Sequence, residues 1–219
     1  MSSLTLFAYG SLMSERVAPE LMTREELVTL HGYERAFHKI SWVRGCHPSD
    51  AALEVPNRPE RFETAERNLS LVLGLRPKSG AKVVGFLQTY PADVAQEVLE
   101  QLDRREGFDA SKPIDELAYL RRPCQVENAE GRMLDAVTYL TNPRSKRVDD
   151  TLSTESQAMI LSGATSEESA GSKARGLFYL EGVRLALHSV GHHDQNLEGL
   201  ARCAYKWYAG RLHLLPFQV

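Results

Sequence analysis

The chain has 219 residues, of which 42% are hydrophobic and 25% charged, with a net charge of −3. That balance fits an ordinary globular domain. It gives no positive footprint for nucleic acid or an anionic membrane, and no apolar run approaches the roughly 18–20 residues of a membrane span. The N-terminus has no charged region leading into a long apolar core, so no secretory leader is expected. Cys46, Cys124 and Cys203 are widely spaced and form no C-x-x-C pair. Neither a zinc site nor a disulfide framework is expected, and a cytoplasmic protein with reduced thiols fits best.

Residues 4–9 are rich in Leu, Thr, Phe and Tyr and read as a strand that runs into Gly10-Ser11. Residues 14–21 then read as one or two helical turns with Ser14 as N-cap, and Gly32 to Val43 as a second strand. From Arg44 to Asn68 prolines, acids and arginines follow no sustained period, which predicts a long loop or an insertion. Leu69–Leu75 and Lys82–Tyr90 read as two strands around a Pro77-Lys78-Ser79-Gly80 turn.

Residues 92–106 carry Val94, Val98 and Leu102 at every fourth position, an amphipathic helix that Gly107 is placed to end. Tyr119–Glu127 and Met133–Thr141 read as a hairpin about Asn128-Ala129-Glu130-Gly131. Asn142 to Ser172 is polar and predicts loop with one short helical piece. Leu177, Leu180, Val183, Leu187 and Val190 mark a helix stopped by Gly191, and a last helix is expected over Asn196–Tyr208. Strands dominate early and helices close the chain. That order predicts an α+β fold, a mixed β-sheet or small barrel with flanking helices, as a single domain over 1–219.

Two stretches have residues suited to chemistry. Tyr9-Gly10-Ser11-Leu12 ends a strand in a side-chain-poor turn, where consecutive backbone N–H groups can face an anion; a plain turn is the competing explanation. Glu106 follows Leu102 by four residues and Val98 by eight, so its carboxylate projects from the apolar face of the helix, as a general acid/base would. A glutamate simply paired with a neighbouring arginine explains the same spacing. His192-His193-Asp194 has ligand-type residues, but adjacent histidines in a polar turn read as exposed, and no metal site is expected. There is no H-E-x-x-H, G-x-x-x-x-G-K or G-x-G-x-x-G pattern.

Together these segments resemble the γ-glutamylcyclotransferase-like superfamily, with its ChaC-type and AIG2-like branches. Tyr9-Gly10-Ser11-Leu12 is similar to the Y-G-S-[LN] substrate loop, and Asp103-Arg104-Arg105-Glu106-Gly107 to the segment with the essential glutamate. Gly171 to Leu180, with Gly191 and Asp194 behind it, is similar to a later helix of the ChaC branch. Glu106-Gly107-Phe108 replaces the longer R-E-x-G-G-Y of ChaC proteins, which leans toward the general cyclotransferase or AIG2-like branches.

The resemblance implies a cofactor-independent enzyme acting on a small-molecule γ-glutamyl substrate. The substrate's own α-amino group attacks its γ-carbonyl, forming 5-oxoproline and releasing an amine, with no nucleic acid, membrane or metal partner. Glu106 would be the general acid/base, and Tyr9, Gly10, Ser11 and Leu12 would bind substrate. Two other classes remain open: a non-catalytic binding module of the same fold, and a serine amidase using Ser11. Neither the amine half of the substrate nor the oligomeric state can be read from these residues.

Overall fold

The computed structural model describes residues 3–46, 69–163 and 176–212. Its sheet is a closed barrel in the order β1-β3-β2-β4-β5, formed by β1 (Leu4–Ala8), β2 (Arg24–Cys46), β3 (Leu69–Tyr90), β4 (Tyr119–Glu127) and β5 (Met133–Thr141). The helices are α1 (Ala95–Glu106), α2 (Thr154–Gly163), α3 (Leu177–His188) and α4 (Gln195–Leu212). The expected α+β class with a small barrel and flanking helices is what the protein adopts.

β1 is the pivot of the barrel. It pairs antiparallel with β3, from Leu4 opposite Tyr90 to Ala8 opposite Phe86, and parallel with β5 at Leu6–Val137. With neighbours on both edges it is buried, and Leu6, Phe7 and Ala8 are at most 1% exposed. A five-residue strand enclosed in this way reads as a near-continuous apolar run, because both faces meet protein. β4 and β5 form the expected hairpin. Asn128 Oδ1 accepts from the Glu130 and Arg132 amides, and Gly131 adopts φ +75°, a left-handed conformation that favours glycine.

α1 buries Ala95, Val98 and Leu102 and ends as predicted at Gly107 (φ 69°, ψ 28°), whose N–H returns to Asp103 O. α3 runs to His188 just before Gly191, which has φ +73°. At the start of α4, Asp194 Oδ1 accepts from the Asn196 and Leu197 amides, so this residue of the His-His-Asp stretch serves as a helix cap. α2 and α4 pack together.

Five expectations need correction. Ser14 is not an N-cap; 3₁₀ turns cover Ser11–Met13 and Pro19–Leu21, and Ser14 closes the first with its amide and hydroxyl on Ser11 O. β2 begins at Arg24, eight residues before Gly32, because Val28 and Leu30 alternate into the core behind a charged start. β3 is one continuous strand through Pro77 and Gly80 where two were expected. α4 extends beyond Tyr208 to Leu212. The predicted loop at 44–68 enters β2 over Arg44–Cys46, and its remainder lies outside the described residues, as do 164–172 and the Gly171–Arg175 part of the later family-like helix.

The chain divides into two compact units: Met1–Ala36 with Leu73–Val148 and Ala186–His192, and Phe37–Val72 with Asp149–Leu185 and His193–Val219. Every candidate site residue belongs to the first. Among the described residues no helix is long and apolar enough to cross a membrane.

Candidate active site

The site begins where β1 ends. Tyr9 is 7% exposed, and its hydroxyl donates to Tyr139 O at 2.6 Å while its own carbonyl accepts from Arg35 Nε at 3.0 Å. Arg35, 5% exposed, also donates to Val84 O. The Tyr9 side chain is thus spent on the barrel, and the residues after it carry the turn. Gly10 O accepts the Met13 amide at 3.0 Å. The amides of Gly10, Ser11 and Leu12 precede that bond and are not used by it, as at the start of any helical turn.

Leu12 and Met13 are buried and fix the turn from below. Gln88, fully buried on β3, donates to Leu12 O at 3.1 Å and to Glu25 Oε1 at 3.0 Å. Arg16 completes this support with two 2.7 Å hydrogen bonds to the Glu25 carboxylate, its guanidinium lying 5.8 Å from the Phe86 ring centre. Burial pushes the Glu25 carboxyl up. Hydrogen bonds from Arg16 and Gln88, with the Arg16 charge, outweigh that and hold it below its ordinary range.

The second half of the site is the end of α1. Glu106 is its last residue and its side chain is only 16% exposed, as its position one turn beyond the buried Leu102 requires. Its Oε1 lies 3.6 Å from Arg105 Nε. Inward placement and an arginine neighbour therefore both hold, although spacing had offered them as alternatives. The same Arg105 donates to Ser11 Oγ at 3.1 Å, to Glu15 O at 2.9 Å and to Glu15 Oε2 at 2.8 Å. The turn at 10–12 and the glutamate, 94 residues apart between Ser11 and Arg105, thus meet at one guanidinium.

Beneath Glu106, Asp103 takes hydrogen bonds from Tyr139 Oη at 2.7 Å and from Arg121. Arg121 also lies 5.0 Å from the Phe108 ring centre, within cation–π range. Burial raises the Tyr139 phenol well above its ordinary value, and its bond to Asp103, the Asp103 charge and the Glu106 charge add to this. Sequence reasoning missed Tyr139, Arg121, Arg35 and Gln88. The local signal was slight: a polar or phenolic residue at an inward strand position needs a partner, but the partner is set by register.

A cleft of about 470 Å³ lies beside the C-terminal end of α1, lined by Asp103, Arg104, Phe108, Lys112 and Arg121 among others. Neither Glu106 nor residues 9–12 line it; of the site's network it shares Asp103 and Arg121.

The comparisons with known proteins bear on the family and the fold. A family model described as gamma-glutamyl cyclotransferase, AIG2-like, matches residues 6–158. The fold is similar to a selenomethionine-labelled γ-glutamyl cyclotransferase specific to glutathione from yeast, with a TM-score of 0.72 and 16% identity over 94% of this chain and 97% of that one. A second yeast structure of the same description gives a TM-score of 0.67 at 16% identity, covering 94% of this chain and 100% of the other. Among curated proteins there is no significant match. With the matched residues spanning both the Tyr9–Leu12 turn and Glu106, the chain belongs to the gamma-glutamyl cyclotransferase, AIG2-like family.

Proposed function

We propose that the protein is a γ-glutamyl cyclotransferase that releases 5-oxoproline and an amine from a γ-glutamyl amino acid, peptide or amine. The observation that carries this reading is the meeting of the Ser11 turn and Glu106 at Arg105. The substrate supplies its own nucleophile, so the protein has to hold the γ-glutamyl chain curled with its α-amino group against the γ-carbonyl. Glu106, half shielded at the end of an apolar helical face, takes a proton from the α-ammonium and returns one to the leaving amine. The amides of Gly10, Ser11 and Leu12 face the α-carboxylate or the oxyanion that develops as the ring closes.

The arrangement speaks against the serine amidase. Ser11 Oγ accepts from the Arg105 guanidinium, which has no lone pair with which to take a proton from the hydroxyl. The non-catalytic module is separated by experiment. Wild type and Glu106→Gln are incubated with a panel of γ-glutamyl compounds, and 5-oxoproline is detected by mass. Glutathione heads the panel, because a yeast protein of this fold is specific to it. Product from the wild type and a loss of at least ~10²-fold in the variant is the expected result. Absence of product across the panel, with the protein folded, would leave the binding module. We infer a cytoplasmic location from the three widely spaced cysteines, which suit a compartment where thiols remain reduced.

A further inference from the structure

We propose that Arg105 is a positioning residue of the site, a tie that links the Tyr9–Leu12 turn to the Glu106 carboxylate. The inference rests on the cyclotransferase reading for its kinetic consequences, but its structural content stands apart from it. Three donations leave this guanidinium, two to Glu15 (O and Oε2) and one to Ser11 Oγ, and its Nε sits beside Glu106 Oε1. All of these partners belong to the site or its rim.

The geometry of the group matters here. A guanidinium is planar and its donors keep a fixed fork, so partners on different donors are held in one relation to each other. Arg105 Nη1 and Nη2 hydrogen-bond the 11–15 segment, while Nε, 3.6 Å from Glu106 Oε1, faces the helix end as an ion pair across the same rigid plane. With its fork occupied by protein groups, Arg105 acts on the turn and on Glu106, not as a free cation for the substrate. Its neighbour Arg104 lines the cleft beside Asp103 and Phe108 and does not duplicate the tie. The Arg105 side chain is 27% exposed, so replacing it does not open a core cavity.

Lysine in its place keeps a charge but offers one point in place of a fork. Arg105→Lys is therefore expected to retain kcat within a few-fold and to raise KM about ten-fold, as the turn loosens while a cation stays near Glu106. Arg105→Ala loses both, on the order of 10²-fold in kcat/KM, the scale on which small misplacements act. Ser11→Ala raises KM in the wild type and adds nothing in Arg105→Lys, since the two share one interaction.

The experiment is kcat and KM for these variants and for the Ser11→Ala/Arg105→Lys double variant. It is combined with amide NMR shifts of Gly10, Ser11 and Leu12 in Arg105→Lys, and thermal unfolding confirms the fold. A raised KM, non-additivity with Ser11→Ala and displaced 10–12 amides support the tie. If the wild type turns over while Arg105→Lys matches it in both constants, the tie is overturned and the cyclotransferase reading survives. If no γ-glutamyl compound is turned over, that reading fails and the shifts alone decide: movement at 10–12 keeps the tie, and unmoved amides overturn it.

Discussion

Arg121 and Tyr139 stand directly opposite each other on β4 and β5, and both give a hydrogen bond to the carboxylate of Asp103. Directly opposed residues of an antiparallel pair share a face, so the register alone brings a cation and a phenol to one point on α1. That point lies one helical turn from the end of the helix, where Asp103 O also accepts the Gly107 and Phe108 amides. Asp103, three residues before Glu106, is thus held by its side chain from the sheet and by its carbonyl from the helix stop.

Tyr139→Phe tests this anchor. It removes one donor to Asp103 and leaves the Arg121 pair in place. A hydrogen bond to a charged group is worth about 1.5–3 kcal/mol, and urea unfolding should show a loss of that order. Turnover should fall as well, with the larger share in kcat, because Glu106 follows directly on the loosened segment. Stability equal to wild type would mean that Asp103 finds another donor.

Gly85 meets β1 too closely for any side chain. A Cβ there would lie 2.4 Å from Ala8 O and 2.7 Å and 2.9 Å from atoms of the Phe7 ring. Ala8 O is backbone in a strand paired on both edges and cannot step aside, so β1 as a whole must move. Gly85→Ala is expected to cost about 1–3 kcal/mol as an overpacked core. Because β1 leads directly into Tyr9-Gly10, 5-oxoproline formation should fall further than unfolding alone explains when both are measured at a temperature where the variant is folded.

Glu25 links the support under the turn to pH. Its carboxyl lies below the ordinary value of 4.5 in the folded protein, so the folded state holds a proton there less readily than the unfolded chain. The stability this contributes is fully present above about 4.5 and is lost as pH falls through the lower folded value. Denaturant unfolding of wild type and Glu25→Gln should show a constant gap from pH 7 to about 5 and a narrowing gap below. A gap that persists unchanged in stronger acid would mean that Arg16 and Gln88 do not hold the ionised form.

The two halves of the site were legible because each is local. A strand running into Gly-Ser and a four-residue apolar period ending at Gly107 are written in consecutive residues, and it was the family resemblance that singled out Tyr9–Leu12 and Glu106 among them as candidates. The joining residues were not legible. Arg35 reaches Tyr9 across 26 residues, Gln88 reaches Leu12 across 76, and Arg105 reaches Ser11 across 94. Such pairs depend on barrel closure and register, which no local period encodes. The same holds for the fold: the hairpin and α1 follow their patterns. The early part of β2 was hidden by Arg24-Glu25-Glu26, a charged run in which Arg24 pairs with Glu26 and Glu25 finds Arg16 and Gln88 only in three dimensions. Pro77 read as a turn, yet β3 runs through it.

Cys124 offers a chemical check on the β4–β5 ladder. It lies opposite Ala136, and burial, with the neighbouring Asp135 charge, pushes its thiol up to about 12. At pH 8 the thiolate fraction is then on the order of 10⁻⁴, and the thiolate is the reactive species. Native protein treated with iodoacetamide at pH 8 should therefore leave Cys124 unmodified by peptide mass, while the same treatment in denaturant alkylates it fully. In Gly85→Ala or Tyr139→Phe its modification should rise only as far as global unfolding rises. Cys124 is only part-buried, so rapid alkylation in the folded wild type would instead mean that burial and the Asp135 charge do not hold its thiol protonated on this ladder.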